Sequence, residues 1–138
     1  MTWLTWALLS ALFAGLTAIL AKVGVKEIDS NIATGIRTAV VLVFAWVIVA
    51  ARSTWPASIS SKTWLFLVLS GLATGASWLC YFRALQLGQA SQVAPIDKLS
   101  IIVAMVLAAV FLGEPTSWRH WAGGALMVAG AILVATKP

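Results

Sequence analysis

Charge is scarce in this chain: of 138 residues, 9% are Asp, Glu, Lys or Arg, against about 25% in a soluble domain. That scarcity excludes a solvated globular surface. Cysteine is present once, as Cys80, so no intrachain disulfide can form and no zinc or redox spacing exists; Cys80 reads as a small packed residue. Histidine is also present once, and His120, between Arg119 and Trp121, has no second ligand nearby in sequence. No Ser/His/Asp set, metal-type spacing or phosphate-cradling glycine loop appears. The sequence therefore predicts no enzyme, no metal and no cofactor. No Lys or Arg precedes the first apolar run, which is long for a signal peptide, so that run is expected to be a retained helix. The nine Lys and Arg are scattered between the apolar blocks and form no basic stripe, which argues against nucleic acid.

What is abundant is apolar: 62% of the residues are hydrophobic, in blocks near the 20 residues that a transmembrane helix needs. Five spans are expected, Trp3 to Ala21, Ile32 to Ala51, Thr63 to Phe82, Gln92 to Leu112 and Trp118 to Thr136. The connections hold five to eleven residues, which leaves no room for a soluble domain. The expected fold is an all-α integral membrane protein, with any activity inside the bundle. Gly88, Gly113 and Glu114-Pro115 punctuate helix ends, and the tight last turn makes spans four and five an antiparallel pair.

Five spans put the termini on opposite sides of the membrane. Arg52, Lys62 and Arg119 fall on the N-terminal side and Lys22, Lys26, Arg83 and Lys137 on the other; Arg37 and Lys98 could snorkel to the latter. A bias of three to four is weak for a rule that depends on Lys and Arg excess. Trp3, Trp6, Trp55, Trp64, Trp118 and Trp121 crowd the N-terminal side as one interfacial belt. Ordinary one-sided anchoring and opposed insertion of two chains both fit that belt.

The fourth span contains an anomaly. The 14 residues from Leu99 to Leu112 make about 21 Å of helix, short of the roughly 30 Å hydrocarbon core. Asp97 and Lys98 must then lie within the span. Helix neighbours point about 100° apart and do not face each other, so each is expected to find another partner: Lys98 the headgroups, Asp97 a proton or a cation such as Arg37 or Arg83. A bridge that only holds helices together is one reading. A functional site is the other, favoured by Pro95, which removes a backbone donor and loosens the helix where a protein-lined or wet surroundings would tolerate it.

The third span adds a hydroxyl stripe, Ser70, Thr74, Ser77 and Tyr81, on one helical face. Gly71, Gly75, Trp78 and Phe82 lie beside it. The stripe fits a wetted pathway wall or interhelical hydrogen bonds, and Gly71 and Gly75 fit helix packing. Ala7, Ala11 and Gly15 form another small-residue seam in the first span, with Ala14 and Ala18 alongside.

The segment "YFRALQLGQASQVAPIDKLSIIVAMVLAAVFLGEPTSWRHWAGGALMVAGAILV", residues 81–134, resembles the C-terminal part of an EamA-type unit of the drug/metabolite transporter superfamily. Residues 13–42 resemble its first two helices, and "APIDKLS" and "FLGE" are the most specific parts. The resemblance implies a single unit over residues 1–138, half of a ten-helix inverted-repeat transporter, resembling the short five-helix branch. An odd number of spans lets a second, oppositely inserted chain supply the other half. The resemblance thus implies a homodimer, antiparallel by preference, in a bacterial inner membrane. It would move a small metabolite by efflux or exchange and alternating access. A non-transporting subunit or regulator, and a parallel homodimer, remain open. The substrate is not fixed: small multidrug transporters of the superfamily use a first-helix glutamate, and the first span here has no acidic residue.

Overall fold

The computed structural model describes residues 2–54, 56 and 58–136, and those residues are helical apart from short connections. Trp55 and Lys137, expected as an interfacial anchor and an edge cation, lie outside the described residues. The helices are α1 (Trp3–Gly24), α2 (Ser30–Arg52), α3 (Ser61–Leu87), α4 (Ala90–Asp97), α5 (Ser100–Leu107) and α6 (Trp118–Ala135), with a π-helical turn over Ala108–Leu112. Four continuous or near-continuous segments are long and apolar enough to cross a bilayer: Trp3–Gly24, Ser30–Arg52, Ser61–Leu87 and Ala90–Leu112.

The expected fifth span needs qualification. α6 is a helix of 18 residues, about 27 Å long, but it opens on Arg119 and His120 and is not among the four apolar segments. α3 departs in the other direction. Its 27 residues reach about 40 Å, beyond a 30 Å hydrocarbon core, so its two ends, with Lys62 at one and Arg83 and Gln86 at the other, do not both fit in the oily part. Only Gly88 and Gln89 separate α3 from α4.

Local chemistry explains the boundaries. Asp29, in extended backbone, caps α2 by accepting from the amides of Asn31 at 2.8 Å and Ile32 at 3.4 Å, which satisfies donors that a helix start leaves free. Ser60 does the same for α3 through the Thr63 amide. Ser117 and His120 form a reciprocal capping box on α6. The π turn ends on Gly113 at φ 64°, left-handed backbone that glycine adopts without a Cβ clash.

The chain divides into two compact units, Ala21–Gln86 and Met1–Leu20 with Leu87–Pro138. Within the first, the α1–α2 connection meets the C-terminal turns of α3. Val25 and Leu85 are fully buried there, with Ala33, Phe82, Ser30 and Thr34 also buried. Thr34 spends its hydroxyl on the Ser30 carbonyl, 2.8 Å away. Within the second unit, α4 packs on α6, Gln92 donates to the Ala135 carbonyl at 3.3 Å, and Gly124 lets Ile102 approach. A Cβ on Gly124 would stand 2.8 Å from Ile102 Cδ1.

Most apolar side chains face outward, from Leu4, Leu8 and Leu12 to Leu126 and Leu133. In water, so large an apolar surface would drive aggregation. Lipid is the solvent that matches it.

Candidate functional site

The fourth span is broken at its charged residues. Pro95 has no amide hydrogen, so the Ser91 carbonyl one turn earlier loses its regular donor. Beyond it the hydrogen bonds shorten their reach: Lys98 N donates to Pro95 O at 3.2 Å, Leu99 N to Ile96 O, Ile101 N to Lys98 O and Ile102 N to Leu99 O, each at 3.0 Å. These three-residue spacings tighten the backbone. α4 therefore ends at Asp97, and α5 begins at Ser100.

Asp97 and Lys98 pair with each other, with Lys98 Nζ 3.2 Å from Asp97 Oδ2. This corrects the expectation that neighbours could not meet. That expectation assumed a regular helix with side chains projecting straight out; the tightened turn and the flexible lysine stem let the ammonium fold back. The side chains are 34% exposed for Asp97 and 55% for Lys98, so the pair is accessible.

The two arginines expected as partners for Asp97 have engagements of their own. Arg37 is half-buried, its guanidinium carbon 4.3 Å from the Trp78 ring centroid and 5.4 Å from that of Phe82. Trp78 and Phe82 are four residues apart on α3 and so share a face, forming a two-ring cradle for the cation. Arg83 donates to Gln86 Oε1 at 2.9 Å, and Gln86 Nε2 donates to the Ile28 carbonyl at 2.8 Å. Lys22 Nζ donates to the Leu85 carbonyl. Gln86 thereby ties α3 to the α1–α2 connection, a role the sequence reading missed. Its only sign there was its place in the "ALQLG" helix end.

In the hydroxyl stripe, Ser70, Thr74 and Ser77 are exposed and Tyr81 is half-buried. Thr74 already donates to the Ser70 carbonyl of its own helix at 2.9 Å. Among the described residues, nothing lies within 4 Å of a Cβ built on Gly15, Gly71 or Gly75, and Ala7 and Ala11 are exposed. Within one chain these small residues face open space, and the close approach falls at Gly124, which sequence reasoning did not single out. Cys80 is a free, exposed thiol.

Each unit thus holds its own charged feature, the Asp97–Lys98 pair in the interrupted fourth span and Arg37 over the Trp78 and Phe82 rings. Similarity to known proteins shows the family. The EamA-like transporter family matches residues 1–136, and the chain belongs to that family. It is 57% identical, over 97% of its length and 96% of the relative's, to an uncharacterized transporter in the cobO 3′ region of a Sinorhizobium species. It is 28% identical over 94% of its length to the uncharacterized transporter YvbV of Bacillus subtilis strain 168, of which it covers 44%. It is also 35% identical over 64% of its length to a probable 4-amino-4-deoxy-L-arabinose-phosphoundecaprenol flippase subunit, ArnE, of Pseudomonas aeruginosa, covering 74% of that protein. No solved structure matches the chain.

Proposed function

We propose that this chain transports a small metabolite across a bacterial inner membrane, by efflux or exchange, as a homodimer of oppositely inserted copies. The carrying observation is the interruption of the fourth span at Asp97 and Lys98. Irregular backbone at membrane depth is tolerated where it faces protein or a water-filled cavity, and transporter sites are typically built on such discontinuous helices. In this reading Asp97 exchanges Lys98 for a proton or a cationic substrate group. Ser70, Thr74, Ser77, Trp78 and Tyr81 wall the pathway. The Bacillus relative supports the paired arrangement: this chain covers less than half of it, as one unit of a two-unit protein would.

The test is uptake by proteoliposomes containing the wild-type chain or Asp97→Asn. Substrate-driven flux that disappears in the variant supports transport through this site. Flux that persists unchanged removes Asp97 from the pathway.

A second reading rests on the likeness to a flippase subunit, under which the chain is one component of a hetero-oligomer. It predicts no flux from the purified chain until a second, different membrane protein is added.

A further inference from the structure

A groove on the fourth span begins at Ile101, just beyond the broken turn, and runs toward Gly113. Ile101, Ala104, Met105 and Ala108 form its floor, and Glu114, Pro115, Thr116 and His120 form its rim, around an open depression of about 330 Å³. That volume is at the lower end for ligand pockets, which run about 300–1,000 Å³. The floor residues recur at intervals of three and four, so they occupy one helical face, and the short side chains of Ala104 and Ala108 keep that face shallow beside Ile101 and Met105. The rim is fixed by backbone. The Gly113 amide and the Glu114 amide both donate to the Ala108 carbonyl, the latter at 3.2 Å, which folds Glu114 back over the π turn.

The rim is polar and the floor is oily. His120 Nδ1 accepts from the Ser117 amide at 3.0 Å and lies 2.9 Å from the Ser117 hydroxyl, so in the neutral ring the hydrogen is on Nε2, which remains a donor. Thr116 is occupied, accepting from Trp121 Nε1 at 3.3 Å. Trp118 and Trp121 beside the rim are 76% and 43% exposed, and exposed tryptophans at a span's end mark headgroup depth. The polar rim therefore lies at headgroup level and the apolar floor runs into the hydrocarbon.

We propose that this groove seats one bilayer aminolipid of the phosphatidylethanolamine type. The ammonium pairs with the Glu114 carboxylate, a phosphodiester oxygen accepts from His120 Nε2, and one acyl chain lies along Ile101, Ala104, Met105 and Ala108. Charge complementarity selects this occupant: an anionic lipid would bring its phosphate to a carboxylate with no ammonium to compensate.

Native mass spectrometry of the full chain, extracted from bilayers of equal phosphatidylethanolamine and phosphatidylglycerol, tests it without any transport assay. The expected result is retention of phosphatidylethanolamine on the order of tenfold over phosphatidylglycerol, the size of one charge-assisted contact. Glu114→Gln should abolish the preference, and Ala104→Phe should displace the lipid by filling the floor while keeping the carboxylate. Glu27→Gln, outside the groove, should retain it. Equal retention of the two lipids by the wild type overturns the proposal, as does an unchanged preference in Ala104→Phe. A change of oligomeric state in Ala104→Phe, with no loss of lipid, would also overturn it and give the groove to a second copy.

Discussion

Asp97 and Lys98 neutralise each other at 3.2 Å while both stay accessible, and an ion pair between sequence neighbours can open without moving a helix. Such a pair suits a site that must release its own cation to take another. Asp97→Asn keeps the shape and loses the charge, so the protein should extract and fold normally while flux falls to background. Flux that keeps its pH response in Asp97→Asn would argue against a role in proton or substrate binding. If the variant instead fails to assemble and Lys98→Met restores assembly, the pair is only structural. Arg37 calls for a different experiment. Its contact with Trp78 and Phe82 is worth about 0.5–2 kcal/mol, and lysine does not reproduce a planar stacked guanidinium. Arg37→Ala and Trp78→Leu should each lower thermal stability in detergent by about that amount, with the double variant falling by less than the sum. Strict additivity would mean that the stacking contributes nothing.

At the scale of the helix, Pro95 separates two effects that usually travel together. Pro95→Ala restores the amide that the Ser91 carbonyl lacks, so α4 and α5 should merge and hydrogen exchange at Lys98 and Leu99 should slow. Transport should fall as the break closes; a straightened helix that still transports would show that the interruption is incidental. Gly124 gives the packing counterpart. Gly124→Ala meets the far ends of two flexible side chains, Ile102 and Met105, and should cost about 1 kcal/mol or less, whereas Gly124→Ile overfills the contact and should cost about 1–3 kcal/mol, read as loss of melting temperature. The break was legible in the sequence because proline acts locally, through its missing amide. The first four spans were legible because length and apolarity are themselves local properties. α6 was legible as a helix to within one residue of its end, while Arg119 and His120 dilute its apolar run and leave it outside the four spanning segments. The Asp97–Lys98 pair was misjudged because it depends on how the backbone tightens after Pro95, which spacing alone does not fix. Arg37 was sent toward Asp97 for a related reason: its seat on Trp78 depends on the rotation of α2 against α3, which neither helix's own pattern specifies. The glycines show the same limit. Gly71, Gly75 and Gly124 look alike in sequence, and only the fold gives Gly124 its neighbour.

At the scale of the molecule, the outstanding fact is unburied apolar surface: none of the fourth span's most apolar stretch is buried among the described residues. Lipid can cover that surface, and so can a second copy, and the near-even distribution of positive charge bears on the second possibility. On the five-span reading of the sequence, Arg52, Lys62 and Arg119 fall on one side and Lys22, Lys26, Arg83 and Lys137 on the other, a balance that a small change should tip. Two lysines added near Ser58 should hold the N-terminal side in the cytoplasm, and two added near Gln89 should expel it, as read by one-sided labelling of a terminal tag. Each fixed variant would then supply only one half of an inverted pair. Flux should be lost from either alone and return when the two are co-expressed. Normal flux from each variant by itself would instead mean a parallel assembly, with the tryptophans of the N-terminal side anchoring every copy at the same face of the membrane.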